Sequence, residues 1–135
     1  ALSSNCTAED EAVARTVFEA VGIVERVPEE QIDIVTALSG SGPAYFFYLV
    51  ECLAQAAARA GLDEALATRL AAQTLVGAGR LLYKSGETPA ILRERVTSKG
   101  GTTAAALAAF NNHGFPEVVA TGLEAAAARA RELGQ

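Results

Sequence analysis

The chain has 135 residues, a formal net charge of −5, and 50% hydrophobic but only 6% aromatic residues; this is one domain's worth of sequence, and with no basic tract it speaks against nucleic acid or an anionic membrane surface as a partner. The alanine-rich, aromatic-poor composition suits closely packed helices better than a sandwich or barrel. Cys6 and Cys52 stand far apart, neither with a second Cys or a His at ligand spacing, which argues against a metal site and fits free thiols in a reducing cytoplasm.

Taken in order, Thr7 followed by Ala8, Glu9 and Asp10 predicts a helix start, with Val13, Ala14, Val17, Phe18 and Val21 at helical spacing and Gly22 as the stop. The run Ile23-Val24-Glu25-Arg26-Val27 then reads as a short strand ended by Pro28. No second strand is available to it. Unpaired N–H and C=O groups need partners, so this orphan strand is expected to pair with a missing part of the protein or with another copy of the chain. The opening at Ala1, without Met or a signal-peptide n-region, adds to the expectation of an excised piece.

Pro28, Glu29 and Glu30 begin a predicted helix that carries Ile32, Val35 and Leu38 up to Ser39, and Gly40-Ser41-Gly42-Pro43 breaks it. Pro43 is placed as the first position of a helix over 44–60, closed by Gly61. Its Tyr45-Phe46-Phe47-Tyr48 run covers every face for one turn and calls for burial, more as core or interface packing than as a pocket wall. Glu51, Gln55 and Arg59 form a polar stripe that a membrane span would not tolerate. Asp63 caps the longest predicted helix, 64–84, which Gly77 and Gly79 interrupt. Each glycine costs roughly 1 kcal/mol against alanine inside a helix, so a second backbone is expected to cross there. Thr88-Pro89 starts a short helix through Ile91, Leu92 and Arg95; after Phe110 the Asn111-Asn112-His113-Gly114 cluster stops the chain; and Phe115-Pro116 opens a last helix, with Val118, Val119, Leu123, Ala127 and Ala130 on one face to Leu133.

Between the short helix and Phe110 lies Val96-Thr-Ser-Lys-Gly-Gly-Thr-Thr-Ala-Ala-Ala-Leu107, a polar glycine-paired turn opening an alanine-rich helix. Gly100 and Gly101 let backbone approach a ligand without an intervening Cβ. The helix start beyond them presents free N–H groups, which favour a carboxylate or phosphate. Thr97 and Ser98 add hydroxyls and Lys99 a cation. By turn chemistry alone, an ordinary glycine turn with a threonine cap is favoured over a ligand site as the account of this stretch. The other candidates are weaker. His113 sits at a helix end as a dipole residue, Glu29, Glu30 and Asp33 lie on an exposed helix start, and Ser39-Gly40-Ser41-Gly42 lacks both the Lys-Ser/Thr of a P-loop and a preceding strand.

Three motifs in this order, Leu38-Ser-Gly-Ser-Gly-Pro-Ala-Tyr45, Leu75-Val-Gly-Ala-Gly79 and Val96-Thr-Ser-Lys-Gly-Gly-Thr-Thr103, resemble the C-terminal region of pyrroline-5-carboxylate reductase, and the likeness covers essentially the whole chain. The resemblance implies an all-α helical bundle that interlocks with a second copy as a homodimer or a higher oligomer, plus the short orphan strand. It implies that residues 1–27 are the end of an N-terminal Rossmann domain, and 28–135 the dimerisation and substrate-binding domain. It further implies reduction of Δ1-pyrroline-5-carboxylate to L-proline in proline biosynthesis, by hydride from NADPH or NADH. The cofactor would be held mainly by the absent domain, so this piece alone is expected to be inactive. For the matching positions it implies that Ser98, Gly100, Gly101 and Thr102 hold the substrate carboxylate and that Thr103 binds substrate and bonds the ring nitrogen as the catalytic hydroxyl. Many relatives of this type carry Pro where Lys99 stands. Two other readings remain: a purely structural helical dimerisation module, and the helical domain of another imine or hydroxyacid dehydrogenase.

Overall fold

The computed structural model describes residues 1–3 and 5–134, and those residues form helices and connections only. The chain divides into two compact units, Ala1–Gly40 with Leu123–Gln135, and Ser41–Gly122.

In the first unit, α1 (Ala8–Glu19) begins at a capping box. The Asp10 amide donates to Thr7 Oγ1 (3.2 Å) while the Thr7 amide donates to Asp10 Oδ2 (2.8 Å), so two donors that the helix leaves free are satisfied reciprocally. Residues 23–27 do not form the expected strand, and no strand is present among the described residues. The segment has no neighbouring strand among the described residues to exchange ladder hydrogen bonds with. It is held instead by side chains of α1: Arg15 Nη1 donates to the Val24 carbonyl (3.2 Å), and Arg26 pairs with Glu11 (3.0 Å). The helix expected from Pro28 to Ser39 is also not uniform. A 3-10 turn (Glu29–Gln31), one α turn, α2 (Ile32–Val35), and a π turn (Thr36–Gly40) follow one another. The β-branched residues before the π turn have low helix propensity, and the Ser39 hydroxyl donates to the Val35 carbonyl (2.8 Å).

The second unit is built on α3 (Gly42–Arg59) and α4 (Glu64–Ser85), which pack against each other. Four residues join them, which obliges neighbouring helices to run antiparallel. Gly61 (φ 103°) turns the chain, and Asp63 Oδ1 caps α4 by accepting from the Leu66 amide (2.9 Å). Gly86 (φ 67°) ends α4 in the left-handed conformation. Next come α5 (Pro89–Arg95), capped by Thr88, then α6 (Thr102–Asn112) and α7 (Phe115–Leu133), whose second half belongs to the first unit.

Burial falls on small side chains: the buried hydrophobics among the described residues are Ala37, Ala54, Ala67 and Ala127. Alanine lets helices approach closely but removes little apolar surface. The aromatic run of α3 is correspondingly exposed, with Phe47 and Tyr48 each at 67%. No backbone crosses at Gly77 or Gly79 within the protomer, since a Cβ at either would meet nothing within 4 Å.

Candidate functional site

The turn between α5 and α6 is built by local chemistry. The end of α5 is closed by amides of Val96 and Thr97, which donate to Leu92 (3.3 Å) and Glu94 (3.0 Å) carbonyls. The Thr97 hydroxyl donates to the Arg93 carbonyl (2.6 Å), so it is not free to meet a ligand. A turn over residues 98–101 follows, closed by the Gly101 amide donating to the Ser98 carbonyl (3.0 Å), with Gly100 at φ 72°. That backbone conformation is open to glycine at no steric cost.

Gly101 is then the N-cap of α6, with extended backbone (φ −80°, ψ 175°) and no side chain to cap with. Helices α1, α4 and α5 each use a Thr or Asp side chain at this position. The first backbone bond into α6 is Ala105 N–H to the Gly101 carbonyl (3.1 Å), and the amides of Thr102, Thr103 and Ala104 have no intrachain acceptor among the described residues. Three N–H groups thus point out of a helix start that carries partial positive charge. Ser98 and Thr102 are exposed, and Gly101 and Thr103 half-buried. The hydroxyls of Ser98, Thr102 and Thr103 make no hydrogen bond among the described residues, whereas Thr16, Thr68, Thr74 and Thr121 donate to the carbonyl four residues back.

The five predicted site residues therefore share one turn, but their amides differ. Those of Ser98, Gly100, Thr102 and Thr103 have no acceptor among the described residues, and that of Ala104, which composition gave no reason to include, joins them. That of Gly101 is engaged in closing the turn. Lys99 is exposed and has no ion pair among the described residues, while Arg95 is paired with Glu87 (2.6 Å).

The other candidates lie apart from this chemistry. His113 Nδ1 is 2.8 Å from the Ala109 carbonyl at the end of α6, the position of a helix-terminal residue. A hollow of about 170 Å³ between α1 and residues 24–26 is lined by Phe18, Val24, Glu11, Arg15 and Arg26, and its charged groups pair with one another. Tyr48 has its phenol pKa pushed up by its hydrogen bond with Cys52, then by the charges of Cys52 and Glu51. Among the described residues no His, Cys, Asp and Glu group could hold a metal ion, and no helix is long and apolar enough to cross a membrane.

Fold and turn together define an all-α domain of short-linked helices with large exposed apolar faces and a glycine-capped helix start fit for an anion. The family model described as pyrroline-5-carboxylate reductase dimerisation matches residues 29–133, and the chain belongs to that family. It is 42% identical to the pyrroline-5-carboxylate reductase of Arabidopsis thaliana over 134 residues, covering 99% of the chain and 49% of the relative. It is 39% identical to pyrroline-5-carboxylate reductase 1 of Bacillus subtilis (strain 168), covering all of the chain and 46% of the relative. Among solved structures, a pyrroline-5-carboxylate reductase from Coxiella burnetii superposes with a TM-score of 0.90 at 37% identity, over 97% of this chain and 49% of that one. The Plasmodium falciparum pyrroline carboxylate reductase, crystallised with NADP bound, gives 0.86 at 31% identity, over 98% and 54%. The chain spans about half the length of the curated relatives it matches.

Proposed function

We propose that this chain is the substrate-binding and dimerisation half of a cytoplasmic pyrroline-5-carboxylate reductase, which forms L-proline with NADPH or NADH. In this reading residues 28–135 are the helical domain, consistent with the family match from residue 29, and residues 1–27 are the end of a nucleotide-binding half. The amides of residues 23–27, which have no acceptor among the described residues, and the exposed side chains Val17, Phe18, Val21 and Ile23 of the same region support a neighbour there. The large apolar side chains left exposed on α3 and α4 support a second copy as the other partner.

The observation that carries the reading is the start of α6, where three free amides and the Ser98 hydroxyl meet in one exposed turn of a chain of this family. The substrate carboxylate sits on those amides, with the Ser98 hydroxyl as a further donor; charge-assisted bonds of this type are the strong ones. Thr103, half-buried behind the turn, directs its hydroxyl to the ring nitrogen. Bound NAD(P)H supplies the hydride that forms the new C–H bond at the imine carbon. The C=N π electrons move onto nitrogen, and a substrate bound as the protonated iminium already carries the N–H of the product, so no strong general acid is required of the protein. Holding the ring by both its carboxylate and its nitrogen is an orienting role.

The test is Thr103→Val in the full-length protein, which keeps the volume and β-branching but removes the hydroxyl. The expected result is a fall in kcat/KM of at least about tenfold at an unchanged melting temperature, in line with the loss of one hydrogen bond to a charged group. Unchanged turnover would leave Thr103 without a role in the reaction and favour a purely structural module.

A further inference from the structure

The space beside Gly101 is taken by the Ser98 hydroxyl, and the backbone conformation of Gly101 does not call for glycine. Its φ and ψ are extended and open to any residue. A Cβ at this position, however, would overlap the Ser98 hydroxyl oxygen and lie 3.2 Å from the Ser98 carbonyl oxygen and 3.5 Å from the Ser98 Cβ. By contrast a Cβ at Gly42, Gly77, Gly79 or Gly122 would meet nothing within 4 Å. The turn bond from the Gly101 amide to the Ser98 carbonyl draws the two residues together, and the Ser98 hydroxyl fills the volume that any other side chain at 101 would claim. That hydroxyl makes no hydrogen bond among the described residues, so nothing intramolecular holds it except this fit.

We propose that Gly101 is a positioning residue: its bare Cα lets the Ser98 hydroxyl lie beside the free amides at the start of α6, so that hydroxyl and amides address the same carboxylate. The inference rests on the carboxylate-site reading above and adds to it a division of labour. Gly101 gives no side chain and, with its amide spent on the turn, no free donor; its contribution to binding runs through Ser98. A methyl group at 101 turns the Ser98 hydroxyl away and removes one donor from the site, while the amides of Thr102, Thr103 and Ala104 stay in place.

The experiment is a double-mutant cycle in the full-length protein, with KM and kcat for pyrroline-5-carboxylate and the melting temperature read for Ser98→Ala, Gly101→Ala and the double variant. Ser98→Ala is expected to raise KM about tenfold or more, with kcat changed far less. Gly101→Ala is expected to raise KM by the same factor and to lower the melting temperature. In the double variant the overlapping hydroxyl is gone while the Ser98 carbonyl stays 3.2 Å from the new Cβ, so the melting temperature recovers in part and KM is no higher than in Ser98→Ala alone, the strong non-additivity of residues acting as one unit. If Gly101→Ala does not fold, the double variant decides: folded with the KM of Ser98→Ala, it supports the proposal. The proposal is overturned if the double variant multiplies the two KM effects, if Gly101→Ala keeps the wild-type KM, or if the double variant fails to fold. An unchanged KM in Ser98→Ala instead removes the carboxylate-site reading on which this inference stands, which separates the two failures.

Discussion

Lys99 holds the first central position of the turn over residues 98–101, with Gly100 at φ 72° in the second. Since no residue other than glycine has positive φ among those described, the geometry is that of a type II turn, whose first central position suits proline. The Lys99 amide makes no hydrogen bond and its side chain no ion pair among the described residues, so proline would remove nothing. Lys99→Pro is therefore expected to raise unfolding stability by about 0.4–1 kcal/mol through the unfolded chain's lost freedom, read from the midpoint of urea denaturation; a lower midpoint would mean that the turn does not have this geometry. Much of this turn is legible in the bare sequence, because paired glycines before an alanine-rich run dictate a local conformation. What the sequence does not show is how hydroxyls and amides divide among competing acceptors. Thr97 turns back to the Arg93 carbonyl and the Gly101 amide closes the turn, choices that depend on distances and take the Gly101 amide out of the donor set while those of Gly100 and of Thr102 to Ala104 stay open.

The same contrast between local and distant determinants holds for elements. The start of α1 follows from Thr7 and Asp10 three residues apart, and both bonds of the capping box form. The backbone and side-chain hydrogen bonds from Thr7 to the Asp10 carboxylate hold its pKa below the ordinary 3.8. A carboxylate whose folded pKa is depressed stabilises the helix above the unfolded value and loses that contribution as pH falls through the folded one. The first turn of α1 is thus expected to fray only below pH 3.8, and Thr7→Ala to bring the Asp10 titration, followed by carboxyl NMR, up toward its ordinary value; a titration that does not move would show that the box is not formed in solution. Residues 23–27 illustrate the opposite case. β-Branched residues mixed with charged ones mark a segment able to be a strand, but a strand exists only where a second one offers a ladder, and no spacing rule supplies that partner. Likewise helical periodicity marks residues 29–40 as helix but does not distinguish the 3-10, α and π turns that succeed one another there.

At the scale of the whole molecule, the question is why a chain with so much exposed apolar surface also carries glycines inside its longest helix. Phe46, Phe47, Tyr48, Leu81 and Tyr83 of α3 and α4 are all more than half exposed, whereas soluble monomers rarely present contiguous apolar patches beyond a few hundred Å². Gly77 and Gly79 lie in α4, and the protomer places nothing where their side chains would be. Inside a single protomer a Cβ at 79 has free space, and a better helix former there would favour the helix by up to about 1 kcal/mol. The glycine is explained if, in the proposed homodimer, a helix of the second copy lies against it so closely that only a hydrogen fits. Gly79→Leu then has opposite effects at the two levels: helicity by circular dichroism is kept or raised, while the dimer dissociation constant from sedimentation equilibrium rises at least about tenfold, because a new side chain at a close helix crossing must push the backbones apart. Wild-type dimer affinity in this variant would show that the second copy packs elsewhere on α3 and α4, and a loss of helicity would show that residue 79 meets a neighbour within its own protomer.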